Sequence, residues 1–421
     1  MKKSNKLALF TALSLSNVAF ADQITAWVID AKIEAPFFQQ LEQKFNEKYK
    51  AENISVQLKA IPSLNDAVQA AWMAKDMPDI LFVDGPNMAN YTWSGMLKPI
   101  DEMLDKEILE QTIPGLISQG TYPPDNKLYM LGMGDSSVLL WGNKKYLEAA
   151  GISLPTSVEE AWTYEQFSDV LEKLSKVDGV KWPLDFNVGM AGEWMTYGYF
   201  PLVVSNGGNI LNAETKRAEG AIDSSATIDA AEKMQAWVKK GYTVPKTAGA
   251  NRFFSDKTAA LAWIGNWMWP TFNESLGEDL VLIPTPKLGA KAFSPNGGWG
   301  WAVSSTSKKD NEVAKFLNFA LSKDQVKEWA KYTGYIPGRK DAIAETPLFA
   351  KGGKLNMLAQ QAEQIALVRP IHPAYPVLTK EFGKAMENIL NGASPKTELQ
   401  KAAKNIDRDI EDNDGYPPFD K

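Results

Sequence analysis

Apolar and polar positions along this chain follow two different periods. Residues 24–30, ITAWVID, form a short apolar run that predicts a buried strand. In the stretch that follows, EAPFFQQLEQKFNEKY, Phe37, Leu41, Phe45 and Tyr49 recur at the spacing of one helix face. ISVQLKAI (54–61) alternates as a half-buried strand does, 63–75 reads as a helix, and PDILFVDG (78–85) is an apolar run bounded by Pro and Gly. Strand and helix in alternation predict βαβ units and a parallel sheet. Ligands of such sheets bind beyond the carboxyl ends of the strands, which makes Asp30 and Asp84 candidate ligand-facing residues.

A second α/β pattern starts near residue 136. SVLLWGN predicts a strand, TYEQFSDVLEKLSKV an amphipathic helix with Phe167, Val170, Leu171 and Leu174 inward, and WPLDFN another strand. GNILNAETKRAEG (208–220) reads as a surface hairpin, and SATIDAAEKMQAWVKKG as a helix stopped by Gly241. LVLIP and WGWAVSS predict strands on either side of a Pro/Gly-rich stretch, 284–298. The last ninety or so residues read as mainly helical. No low-complexity segment or short repeat interrupts the pattern.

Composition narrows the setting. The first residues, MKKSNKLALFTALSLSNVAFADQ, carry Lys2, Lys3 and Lys6, an apolar stretch, and Ala19-Phe20-Ala21 as a cleavage site. This predicts a secretory signal over 1–21 and a mature chain starting at Asp22. Loss of three lysines would take the net charge from −6 to −9, an acidic balance that disfavours nucleic acid and anionic membranes as partners. With no cysteine, neither disulfides nor a lipid-anchoring residue at the cleavage site are available. The expectation is a monomer in the periplasm.

Candidate chemistry is limited by what the chain lacks. One histidine, His372, and no cysteine make an ordinary zinc or iron site unattainable. A carboxylate calcium site stays open, although DNDG (412–415) lacks the rest of an EF-hand loop. His372, in RPIHPAYP, is expected to be structural. GMGDSS (132–137) has Ser137 where a dinucleotide loop needs its third glycine. No enzyme activity, cofactor or metal is expected. Tryptophan, by contrast, is plentiful, with 14 residues. Four clusters combine it with carboxylates or glycines: Trp27 with Asp30, Glu193 with Trp194, Trp263 to Trp269, and NGGWGW (296–301). Aromatic faces beside carboxylates suit a polyhydroxylated ligand, since rings stack on C–H faces and carboxylates accept from hydroxyls.

The order of motifs resembles the family 1 extracellular solute-binding proteins, the maltose-binding-protein-like components of ABC sugar importers. PDILFVDG is followed by SGMLKPIDEML, LLWGNKKYLEAAGISLP by WTYEQF, then VVSNGGNIL, FFSDKTAALAWIGNWMW, NGGWGWAVSSTSKKDNEVAKFLNFALS and YIPGRKD. The resemblance covers essentially the whole mature chain. It implies a periplasmic-binding-protein-like α/β fold of type II, a two-lobed "Venus flytrap" with three hinge crossovers near 132–137, 284–295 and 332–338. One lobe would hold 22–133 with 290–333, the other 136–284 with 338–421. It also implies a carbohydrate or polyol ligand and a membrane permease as partner. The ligand-facing residues it implies are Asp84, Asp135, Glu193, Trp194, Trp267, Gly297, Gly298, Trp299, Tyr335 and Arg369. The alternatives are the same fold serving glycerol phosphate or a peptide, and a secreted carbohydrate-active enzyme using two of the carboxylates Asp135, Asp185 and Glu193.

LAWIGNWMWP (261–270) concentrates these questions, with Trp263, Trp267 and Trp269 inside ten residues. TAALAWIG is expected to end a strand, placing Trp263 in a core. Gly265 would make the turn and Asn266 would cap a helix starting at Trp267, with Pro270 tolerated in its first turn. On that reading Trp267 projects into the cleft.

Overall fold

A computed structural model describes residues 23–249 and 251–418 of the protein; the leader expected over 1–21 lies outside the described residues. The first sheet runs Ser55–Ile61, Gln23–Ile29, Ile80–Asp84, Trp299–Ser304, Leu97–Lys98, with Met130–Gly132 also paired to Trp299–Ser304. Its first three strands are parallel, as the alternation of strand and helix requires. The helix Ala35–Lys48 buries Phe37, Phe38, Leu41 and Phe45 against it. Tyr49 falls just past that helix and packs on Phe45, with ring centroids 4.7 Å apart. Successive residues of Ile80–Asp84 serve opposite faces: Ile80 and Phe82 join one core, Leu81 and Val83 a smaller one behind the sheet.

The second sheet runs Trp182–Asp185, Ala259–Gly265, Val138–Asn143, Leu280–Ile283. Its core gathers Trp141, Phe167, Trp237, Trp263, Phe272 and Phe382. The helix Tyr164–Leu174 starts with a capping box in which Thr163 and Gln166 satisfy each other's backbone, and it buries the four residues expected. The segment 208–220 is not a hairpin. Asn212 accepts from the N–H groups of Glu214 and Thr215 at 2.8 and 3.0 Å, so a side-chain turn replaces the strand ladder. Among the described residues no helix is long and apolar enough to cross a membrane.

The chain passes between the two lobes three times: from Gly132 to Val138, from Ile283 to Trp299, and around Gly334–Gly338. These passages are stitched together. Gly134 and Asp135 pair with Pro337 and Ile336, Ser136 N–H donates to Gly297 at 2.6 Å, and Ser294–Asn296 pairs with Ala366–Val368. The architecture is therefore a two-lobed α/β fold with three crossovers and a cleft between the lobes.

His372 is a buried structural residue. Its Nδ1 accepts from the Ala374 N–H at 3.1 Å, and burial, helped by the charge of Lys216, lowers its pKa to about 4. Because the unfolded chain takes up the proton near pH 6.5, stability present above that pH is lost as pH falls toward 4, by on the order of 3 kcal/mol. As the chain's single histidine, it gives one imidazole C2–H resonance by NMR, expected to titrate near pH 4. A midpoint close to the free imidazole value would contradict its burial.

Candidate functional site

Between the lobes lies a cavity of about 480 Å³, in the range that small-molecule sites occupy. One wall comes from the first sheet. Ile80–Asp84 ends at Asp84, which lies opposite Trp299 in antiparallel register. The Trp299 ring lies almost parallel to Phe82, centroids 6.1 Å apart, and lines the cavity. Gly297 and Gly298 precede it and belong to the same lining. A Cβ on Gly297 would stand 2.1 Å from the Tyr197 ring, and one on Gly298 2.5 Å from the Gly134 carbonyl oxygen. Glycine is what allows the backbone to run this close to the opposite lobe.

The facing wall comes from the helix Glu193–Ser205 and the end of Ala259–Gly265. Trp267 packs edge-on to Trp194 at 6.4 Å and tilted on Tyr197 at 5.9 Å. Its ring folds back over Gly265, where any Cβ would fall 1.9 Å from it. The neighbouring tryptophans do other work. Trp263 is a core residue whose Nε1 donates to Gly198 at 3.0 Å, and Trp269 stacks on Trp141. Asn266 is not a helix cap as expected. Its Oδ1 accepts from Ser137 N–H at 3.1 Å and its Nδ2 donates to Gly334 at 2.9 Å, tying two crossovers together. Trp267 accordingly lies in a 3₁₀ turn, Asn266–Met268, and the helix begins at Trp269.

An ion-paired chain spans the cleft floor. Arg369 Nη2 donates to Asp84 at 2.9 Å and Nη1 to Glu193 at 2.5 Å. Its guanidinium lies over the Tyr197 ring at 4.9 Å. Glu193 also accepts from the Tyr375 hydroxyl and from Thr379 Oγ1 at 2.7 Å. Burial pushes the Glu193 carboxyl above its ordinary range. Burial also works against charge on Arg369, but Asp84 and Glu193 outweigh it and hold the guanidinium well above its usual value. Both terminal nitrogens of Arg369 take part in a brace joining Asp84 of one lobe to Glu193 of the other, and the residue also lines the cavity.

Two expectations need correction. Asp135 does not line the cavity. It is 1% exposed, and its oxygens accept from Gly297 N–H at 2.9 Å and Asn296 Nδ2 at 2.7 Å, making it a strut between crossovers. Burial raises its pKa to about 6 against these donors. Asp30 is exposed and lines another cavity with Ser63, Asn65 and Asp66, which has Trp299 in common with the main one. Trp194, Trp267, Gly297, Gly298, Trp299, Asp84, Glu193, Tyr335 and Arg369 are brought together around the main cavity. Glu34, Tyr197 and Ser136 join them without having been anticipated. Tyr197 lies on a helix buried on nearly every side, so no apolar stripe marks it. Glu34 precedes Pro36 at a helix start, and nothing in its sequence neighbourhood distinguishes it from a surface carboxylate.

Two lobes joined by crossovers and closing on an aromatic cleft define a protein that holds a solute between its halves. The chain belongs to the bacterial extracellular solute-binding protein family, whose model matches residues 40–356. It is similar to the lactose-binding protein of Rhizobium radiobacter, 23% identical over 339 residues, covering 77% of this chain and 76% of that one. It is also similar to the diacetylchitobiose-binding protein DasA of Streptomyces coelicolor, 24% identical over 392 residues, covering 89% and 86%. Among solved structures, the sugar-binding protein MalE of Xanthomonas citri superposes with a TM-score of 0.78 over 93% of this chain and 98% of its own, at 16% identity.

Proposed function

We propose that this protein captures a carbohydrate or polyol in the periplasm and delivers it to the membrane permease of an ABC importer. The observation that carries the reading is the pair of aromatic walls, Trp299 on one lobe and Trp194, Tyr197 and Trp267 on the other, facing one cavity. Flat apolar faces with polar groups between them fit the alternating C–H and O–H surfaces of a sugar ring. The lobes, 22–133 with 290–333 and 136–284 with 338–421, would rotate about crossovers near 132–137, 284–295 and 332–338. A ligand touching both lobes favours the closed arrangement, and the permease then recognises that state. In this reading Trp267, Trp299, Trp194 and the Gly297-Gly298 backbone touch the ligand, while Asp84, Glu193 and Arg369 hold the floor. A phosphate-bearing ligand fits less well, since the cleft's arginine is already neutralised by two carboxylates.

Calorimetric titration against mono- and disaccharides and polyols tests the reading; a panel with no binder would reject it. Against whichever ligand binds, Trp267→Ala is expected to weaken affinity by about 1–3 kcal/mol through lost stacking. Unchanged affinity would remove Trp267 from the site.

A further inference from the structure

Three carboxylates meet one guanidinium around this cleft. Glu34, Asp84 and Glu193 all line the cavity, and Arg369 is bonded to the last two. Glu34 is left over. Its residue is 5% exposed, and the Tyr335 hydroxyl approaches one carboxylate oxygen at 3.5 Å, the outer limit of a hydrogen bond. Lys32 lies on the same lining but is exposed, where water screens its charge. Asp30 and Asp66 add negative charge beside Trp299.

Burial pushes Glu34, like Glu193, above the ordinary carboxylate range, because desolvation disfavours the charged form. Among the described residues no group of three or more His, Cys, Asp or Glu side chains is placed to hold a metal ion. A sugar hydroxyl can hydrogen-bond to Glu34 but brings no charge. A neutral ligand would therefore lie against an already buried carboxylate and bring it no counter-charge. A protonated amine supplies the hydrogen bond and the charge together, and the tryptophan faces favour a cation further.

We infer that the ligand of this cleft is an amino sugar with a free, protonated amine, whose ammonium pairs with Glu34 while its ring lies against Trp267 and Trp299. This rests on the carbohydrate reading above and narrows it to a charge class.

The test is calorimetry near pH 7 with matched sets: glucose, glucosamine and N-acetylglucosamine; the galactose counterparts; and cellobiose with its diamino and diacetylated analogues. In at least one set the free amine should bind roughly tenfold or more tighter than both partners, a difference of about 1.4 kcal/mol. Glu34→Gln, with its fold checked by circular dichroism, should reduce that ratio to within about threefold. Should that variant not fold, the wild-type preference decides alone: it must fade as pH rises through about 8, where the amine loses its proton. A neutral or acetylated member that binds as tightly as the amine in every set overturns this inference and leaves the carbohydrate reading standing. No binding by any member overturns this inference, and the carbohydrate reading falls with it only when the wider sugar and polyol panel also has no binder.

Discussion

Replacing Arg369 with methionine is expected to destabilise the protein by about 3–5 kcal/mol, because Asp84 and Glu193 lose their shared cation inside the cleft. The methionine fills much of the side chain's volume, so the loss comes from charge and hydrogen bonds more than from a cavity. Arg369→Lys should recover only part of it. An ammonium is a point donor and does not fork to two carboxylates on opposite lobes. Urea denaturation of the three proteins measures the series. Adding Asp84→Asn to the methionine variant should restore some of the stability, since it removes one of the stranded charges. Because Arg369 is 4% exposed, raising ionic strength should change the wild-type midpoint little through this brace. A methionine variant as stable as wild type would mean that the brace carries no net energy.

Gly298→Ala is expected to cost about 1–3 kcal/mol or more in stability and to weaken ligand binding at least tenfold. The added Cβ would lie 2.5 Å from the Gly134 carbonyl oxygen. That oxygen is backbone, on a strand held beside it by Gly338 N–H donating to the Met133 carbonyl at 2.8 Å, so neither side can yield by turning a rotamer. The Gly298 carbonyl is itself fixed by Gly85 N–H at 3.3 Å and Gln119 Nε2 at 2.7 Å. Relief of the clash must therefore shift the crossover that sets lobe spacing and the ring of Trp299 beside it. Gly189→Ala is the control, because its Cβ would meet nothing nearer than 3.6 Å. Thermal unfolding and ligand titration of both variants read the effect. Equal behaviour would show that the crossover adjusts freely.

Local patterning carried much of the fold. The helical spacing of Phe37, Leu41 and Phe45, the capping pair Thr163 and Gln166, and the apolar run ending at Asp84 each follow from short-range rules. The 208–220 segment escaped because Asn212 has a choice of backbone partners, and its Asx turn competes with strand pairing over a few residues. Asn266 escaped for a related reason. In sequence it is an ideal cap, yet the N–H it satisfies belongs to Ser137, brought beside it only when two crossovers meet.

By itself the sequence determined which segments bury an apolar face, that they alternate as strand and helix in two blocks, and that tryptophan gathers near strand ends. These are properties of residues a few positions apart, and the periodicity of helix and strand writes them along the chain. Only the tertiary structure decided which charges meet. Asp84, Glu193 and Arg369 lie more than a hundred residues apart, and so do Glu34 and Tyr335. Whether a carboxylate there binds solute, braces a lobe or supports a crossover depends on which donor is folded against it. Arg369 proved to be a brace and Asp135 a strut for that reason, while Trp267 reached the cleft because Gly265 leaves room for its ring.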